Sequence, residues 1–468
     1  LARATSRRGF LRDLALLAGG AAFAPGCFTG ARVRAPFAEP PAPTPQAPIP
    51  TRHVDLAALA AHVPDELVRM APPALSPSVH WGAFESSMHR RWDGARLDMI
   101  AATRHDLFAE ADYRRLGAAG MTACRDAVRW PLVEADPGRF DLSTFLPMVH
   151  AAKRVGLRVV WDLCHYGWPD GIDVFSGAFV RHFAALGRHV AEVLDGELGE
   201  VWISPVNEIS FLAWAAGERE LFHPYAAGRG GEMKENLVRA ACAAMEAILT
   251  RSPRARFLHC DPVIHLVART RAAAEGVARY RAYQFEAWDW IGGRDRRHLG
   301  GDPRFLDIVG INYYRNNQTF EDGSFIGGDD PAYRPFSQLL LEVWRRYRRP
   351  MVIAETGIED DLRPDWLRYV AGEAGAAMDA GCALHAIVWS PIVNHPGWDD
   401  GRHCHNGLWD YPDAQGNRPL YQPLLDAMDS VAPSLTRLRA KALAEAGPGL
   451  APGAAHAGDT HADPPIAP

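Results

Sequence analysis

Val201-Trp202-Ile203-Ser204-Pro205-Val206-Asn207-Glu208 is a short, mostly apolar run that ends in an amide and a carboxylate. Met351-Val352-Ile353-Ala354-Glu355 has the same form 147 residues later. Apolar runs of this length read as buried strands, since helices need longer stretches. Working outward, six more follow the pattern: Val79–Phe84, Met121–Ala127, Leu157–Leu163, Arg256–Cys260, Ile308–Ile311 and Leu384–Trp389. Stretches of helical period lie between them, among them Leu107–Leu116, Phe179–Leu194, Leu237–Leu249, Ala272–Trp290 and Trp366–Met378. Glycine often closes a helix just before the next strand, as at Gly120 and Gly381. Eight strand–helix units between about Ser76 and Val431 predict a (β/α)8 TIM barrel in the α/β class, a single domain. A doubly wound open sheet would carry a glycine fingerprint after its first strand, and Trp81-Gly82-Ala83-Phe84 is not one.

The flanks read differently. Residues 1–27 resemble a twin-arginine export signal: Ser6-Arg7-Arg8-Gly9-Phe10-Leu11-Arg12 precedes an apolar stretch from Leu14 to Ala24. Cleavage after Ala22-Phe23-Ala24, or a lipid anchor on Cys27, would both leave the domain exported, periplasmic or held at the envelope. Residues 28–75 are a Pro-rich linker and lead-in, with Pro36, Pro40, Pro41, Pro43, Pro45, Pro48 and Pro50 favouring an extended chain. The barrel is placed at 76–432 and an Ala/Pro/Gly-rich tail at 433–468.

In 468 residues, 50 Lys+Arg face 56 Asp+Glu for a net charge of −6, and only three of the basic residues are Lys. That balance is no footprint for nucleic acid. The seven Cys form no C-x-x-C pair, so buried free thiols are expected in place of a disulfide framework. His259-Cys260-Asp261 and His403-Cys404-His405 contain metal-ligand types, but no H-x-H on a first strand accompanies them, and neither a metal nor a cofactor is expected.

A barrel of this kind gathers its chemistry at the C-terminal ends of its strands. Arg125, His165, Asn207, Glu208, Asp261, Asn312, Tyr313, Glu355 and Trp389 all stand there. Two carboxylates closing strands four and seven suit acetal hydrolysis, in which one acid protonates the leaving oxygen and the other attacks or activates water.

Five motifs in order resemble glycoside hydrolase family 1, the β-glucosidase-like members of glycoside hydrolase clan A. Trp202–Glu208 looks like W-x-T-x-N-E-P, and Val352-Ile353-Ala354-Glu355-Thr356-Gly357 looks like I-T-E-N-G. Asp307-Ile308-Val309-Gly310-Ile311-Asn312-Tyr313-Tyr314 looks like D-F-x-G-I-N-Y-Y. Leu163-Cys164-His165-Tyr166-Gly167-Trp168-Pro169 looks like L-x-H-W-D-L-P. Val388-Trp389-Ser390 with Trp398-Asp399-Asp400-Gly401 looks like V-W-S followed by E-W-x-x-G. The resemblance implies a retaining β-glycosidase acting on a carbohydrate by double displacement. Glu208 would be its acid/base and Glu355 its nucleophile. It further implies that Asn207 holds the sugar 2-OH, His165 contacts the 3-OH, Tyr313 and Arg125 flank Glu355, and Trp389 floors the pocket beside Trp398.

The departures fall in the sugar-binding shell. His89 stands where the family's first-strand Gln binds the 3- and 4-OH. Asn394-His395-Pro396-Gly397-Trp398 carries an extra residue and lacks the Glu that grips the 4- and 6-OH. Ile209 and Thr356 replace a Pro and an Asn that supply no catalytic atoms. Arg402 is the cation near the eighth strand, a candidate partner for an acidic or modified sugar. The alternatives are a transglycosylase on the same residues and a non-catalytic glycan-binding barrel; the latter would be expected to lose a carboxylate.

Overall fold

The structure is a computed structural model that describes residues 49–398 and 400–447. The twin-arginine segment, Cys27, most of the Pro-rich spacer and the end of the tail lie outside the described residues. Each apolar run folds as a strand: β1 His80–Ala83, β2 Ala123–Ala127, β3 Arg158–Cys164, β4 Trp202–Val206, β5 Arg256–Pro262, β6 Ile308–Asn312, β7 Met351–Thr356 and β8 Leu384–Trp389. They close into a parallel barrel in which every neighbour in space is also a neighbour in sequence, β8 returning to β1. The (β/α)8 fold is the observed one.

Side chains alternate across each strand. Trp81, Ala123, Val160, Trp202, Leu258, Ile308, Val352 and Ala386 make one buried cluster. This is the packed interior of the barrel, not a pore. A second, larger cluster joins the outer strand faces to the surrounding helices. The helices that follow the strands include α1 His105–Ala118, α2 Leu146–Val155, α3 Gly177–Leu198, α4 Gly230–Arg251, α5 Ala274–Tyr283, the short α6 Glu286–Ile291, α7 Phe336–Tyr347, α8 Arg363–Asp379 and α9 Gln422–Ala446. Helix α3 opens at Ser176, whose Oγ accepts from the Phe179 amide at 3.3 Å. It closes at Gly199, in the left-handed region at φ 69° that glycine enters without steric cost. Cys124, Cys164, Cys242, Cys260, Cys382 and Cys404 are buried free thiols. Among the described residues no helix is long and apolar enough to cross a membrane.

Two boundaries differ from the sequence reading. The stretch 272–290, expected as one helix, breaks between α5 and α6. Buried Gln284 sits at the break, accepting from the Ile264 amide at 2.9 Å and donating to the Arg281 carbonyl at 2.8 Å. The barrel also does not stop at 432. Helix α9 runs through Pro433 to Ala446, because Leu435, Leu438, Ala442 and Leu443 are buried on one side of it. It packs on α8 and on two short lead-in helices, Leu56–Ala61 and Asp65–Met70, so part of the 28–75 lead-in belongs to the folded unit. From α9, Arg439 reaches beneath the barrel. Its Nη1 donates to the carbonyls of Ser76, Ser78 and His385 at 3.0–3.1 Å, and its Nη2 to that of Pro77 at 2.7 Å. This buried guanidinium ties the start of β1 to β8. Arg439→Ala strands several carbonyls and is expected to cost about 3 kcal/mol of stability. Chemical denaturation reads that loss; an unchanged midpoint would show that the helix, not this side chain, closes the base.

Candidate active site

At the C-terminal mouth, the guanidinium of Arg125 is the hub. It lies on β2 in phase with Ala123, so it points into the barrel. Its Nη1 donates to Glu355 Oε1 at 2.9 Å and to the Ala354 carbonyl at 3.0 Å. Its Nη2 donates to Asp162 Oδ2 at 2.9 Å and Asn207 Oδ1 at 2.8 Å. Asn207 Nδ2 then donates to Tyr166 Oη at 3.1 Å and meets His165 Nε2 at 3.1 Å. The Tyr166 hydroxyl donates to Glu208 Oε2. Glu208 Oε1 accepts from Asn312 Nδ2 at 2.9 Å, and Glu355 Oε2 accepts from Tyr314 Oη at 3.0 Å. One unbroken polar network thus joins the two carboxylates.

Backbone geometry aims both of them. In β7, Val352 and Ala354 face inward, so simple alternation would turn Glu355 outward. A register shift between β6 and β7 intervenes: Ile311 pairs with Ile353, but Asn312 pairs with Glu355. Such irregularities re-aim side chains at barrel rims. Glu208 has φ 50° and Tyr166 φ 64°, both in the left-handed region where residues with a Cβ are uncommon. Strain of this kind concentrates at functional sites. Gly167 is a close approach: a Cβ there would lie 2.5 Å from the Met88 carbonyl. That contact, with the Met88 amide bonded to the His165 carbonyl at 3.0 Å, stitches the β1 loop to the β3 loop.

The electrostatics single out Glu208. Burial, and then the charge of Glu355, hold Glu208 well above the usual carboxylate range. Glu355 receives two donors, one of them cationic. Asp162 is pushed up to about 6 by burial, against the pull of Arg125. His165 is held neutral by burial and by Arg125.

The expected residues divide as follows. Glu208, Glu355, Arg125, Asn207 and His165 meet in the network. Tyr313 does not: its ring stacks on Phe336 at 3.8 Å and its hydroxyl accepts from Gln318 Nε2 at 2.9 Å. Asn312 faces the mouth, so Tyr314, two residues on, supplies the hydroxyl on Glu355 and Tyr313 points outward. Trp389 is fully buried and donates its indole N–H to the Asn406 carbonyl at 2.8 Å. His89 packs against Trp398 at 4.6 Å and Phe222 at 4.8 Å. Arg402 is engaged by Glu359 through two contacts of 2.6 and 2.7 Å.

Sequence reasoning missed Glu85, Asp162, Tyr166 and Tyr314. Asp162 could have been found, as a charge inside the run Val159–Leu163. The first metal-like triplet disperses, while the two histidines of the second stay together. His259 bonds the Phe305 carbonyl, and Asp261 takes the Ser210 hydroxyl at 2.6 Å. His403 and His405 bring nitrogen atoms within 4.8 Å of Asp410, where His403 and Asp410 already pair at 2.9 Å.

With that geometry in view, the comparisons give one result. No family model and no curated protein matches the sequence. Among solved structures, the chain is similar to a family 1 β-glucosidase from Thermotoga maritima at 16% identity and TM-score 0.63, covering 76% of this chain and 98% of that one. The same enzyme in complex with glucoimidazole gives 16% and 0.63 over 78% and 99%, and with deoxynojirimycin 15% and 0.62 over the same shares. The chain has the barrel of these β-glucosidases. At this identity the likeness establishes the fold, and it agrees with the resemblance drawn from the motifs.

Removing the hub should be costly. Arg125→Met leaves Asp162 and Glu355 buried without their cation, and breaking a buried pair typically costs about 3–5 kcal/mol. Thermal and urea unfolding at pH 7 check this. A variant as stable as the parent would mean that the carboxylates simply take up protons, and the hub would lose its structural importance.

Proposed function

We propose that the chain is a retaining β-glycosidase that cleaves an O-glycosidic bond by double displacement. The observation that carries this reading is a pair of strand-end carboxylates in one hydrogen-bonded network, with Glu208 held above the usual carboxylate range. Glu208, disfavoured as an anion, is the proton donor to the leaving oxygen. Glu355, oriented by Arg125 and Tyr314, attacks the anomeric carbon and forms a covalent glycosyl-enzyme. Glu208 then takes a proton from the incoming water. Asn207 sits between them, positioned to meet the 2-OH, where contacts strengthen in the transition state.

The sugar shell has changed more than the catalytic pair. A site that bonds a hydroxyl discriminates through that bond, and loses selectivity when the partner is replaced. Plain β-glucosides should be poor substrates, and a differently substituted β-glycoside better.

Azide rescue on aryl β-glycosides assigns the roles. Glu355→Gly should lose hydrolysis and regain turnover with azide, which enters the vacated α face and yields an α-glycosyl azide. Glu208→Gly should form the glycosyl-enzyme from an activated leaving group and release a β-glycosyl azide. The opposite pairing of products would exchange the roles. Turnover in the parent should persist above the range of an ordinary carboxylic acid and fall as rising pH deprotonates Glu208; an alkaline limb that survives in Glu208→Gln would assign it to another group.

Export through the twin-arginine route is the second half of the proposal, carried by Arg7-Arg8 and the apolar run after them. Replacing both arginines by Lys should retain the protein in the cytoplasm, and unchanged fractionation would refute the route.

A further inference from the structure

Glu85 is an acidic side chain in the mouth with no task in that chemistry. It lies two residues beyond β1, in phase with Trp81 and Ala83, whose side chains fill the barrel interior. It is 95% buried. Its Oε1 accepts from the Ser87 amide at 3.0 Å and lies 4.0 Å from His165 Nε2. Among the described residues no Lys or Arg pairs with it. The cation whose field reaches it is Arg125, whose terminal nitrogens are committed to Asp162, Asn207 and Glu355. Glu355, Tyr166 and Tyr314 also act on it or feel it. The histidines nearby supply no charge, because burial keeps both His165 and His89 neutral. This wall of the pocket therefore holds a buried carboxyl group without a counterion. Burial lifts the Glu85 carboxyl to about 7, so an arriving cation would draw it fully into the anionic form.

The neighbouring wall is largely aromatic. Neither ring nitrogen of His89 has a hydrogen-bond partner among the described residues, and its Nδ1 is sealed from solvent. The His89 ring stands against Phe222 and Trp398, and Tyr166 stands 5.5 Å from Trp398. A carboxylate beside aromatic faces is a setting that stabilises an ammonium through both charge and ring quadrupole.

We propose that Glu85 recognises a protonated amino group on the glycone, at C3 or C4, making the site selective for β-glycosides of amino-deoxy sugars over their hydroxyl counterparts. The proposal rests on the glycosidase reading above. His165, implied by resemblance to contact the 3-OH, is the neighbour that places the group at C3 or next to it.

The test compares 4-nitrophenyl β-glycosides of glucose, 3-amino-3-deoxyglucose, 4-amino-4-deoxyglucose and the two N-acetylated forms, at pH 7 with the full chain. The better amino substrate should exceed the glucoside at least about 10-fold in kcat/KM, and N-acetylation should abolish the gain. Glu85→Gln should shrink the amino-to-hydroxyl ratio about 10-fold or more. A parent ratio near one, a gain that survives N-acetylation, or a ratio unchanged in a folded Glu85→Gln overturns the proposal. If that variant fails to fold, the parent ratio and the N-acetyl arm decide. Calorimetry with Glu355→Gln and the free amino sugars separates the two layers. Selective binding without any turnover in the parent would keep Glu85 as an amino reader and remove the glycosidase reading. The absence of both selective binding and turnover removes both.

Discussion

The mouth of the barrel depends on one buried guanidinium. Arg125 is enclosed by Asp162, Glu355 and Asn207, which come from three other strands. A cation cannot stay charged in that interior without such partners, and carboxylates there cannot stay ionised without it. The charge therefore fixes where Asp162 and Glu355 lie relative to one another. Through Asn207 and Tyr166 it also sets the approach of Glu208. The strands supply rigid positions; the guanidinium turns four of them into one polar unit.

Much of this was legible in the chain, and the reasons are physical. A strand buried on both faces needs a continuous apolar run, so all eight strands announced themselves. A polar residue that ends such a run has few places to go except the mouth, which located Arg125, Asn207, Glu208 and Glu355. What escaped depends on parity and on packing between distant segments. Tyr313 and Tyr314 are chemically identical, and only the phase of β6 tells which reaches Glu355. The register shift beside Glu355 leaves no mark in composition. Glu85 directly follows the run Val79–Phe84 and was legible by the same rule, although it falls in none of the five motifs. Helix α9 passes through Pro433, a residue that normally ends helices, because apolar burial beyond it outweighs the lost backbone bond.

Two kinds of residue share the pocket and have followed different rules. Those that would handle the bond, Glu208, Glu355, Asn207, Arg125 and Tyr314, belong to one hydrogen-bond network, Glu208 joining it through Tyr166, so a change in one disturbs the others. Those that would read the sugar, His89, Trp398 and Glu85, touch the network only at its edge. His89 makes ring contacts, and Glu85 makes one backbone hydrogen bond. Substitution there leaves the hydrogen bonds among Arg125, Asn207 and Glu355 in place. A barrel wired in this way can keep its chemistry while its specificity drifts.

The left-handed backbone at Glu208 carries a consequence of its own. At φ 50°, a side chain with a Cβ strains the turn, and the carboxyl is then buried beside another acid. Glycine at that position would relieve the backbone and remove the buried acid at once, leaving a protein that folds more readily and, on the proposed chemistry, lacks its proton donor. Directed evolution for heat resistance alone, without a demand for turnover, would be drawn toward that inert sequence. The glutamate is a residue that folding tolerates and that only function can keep.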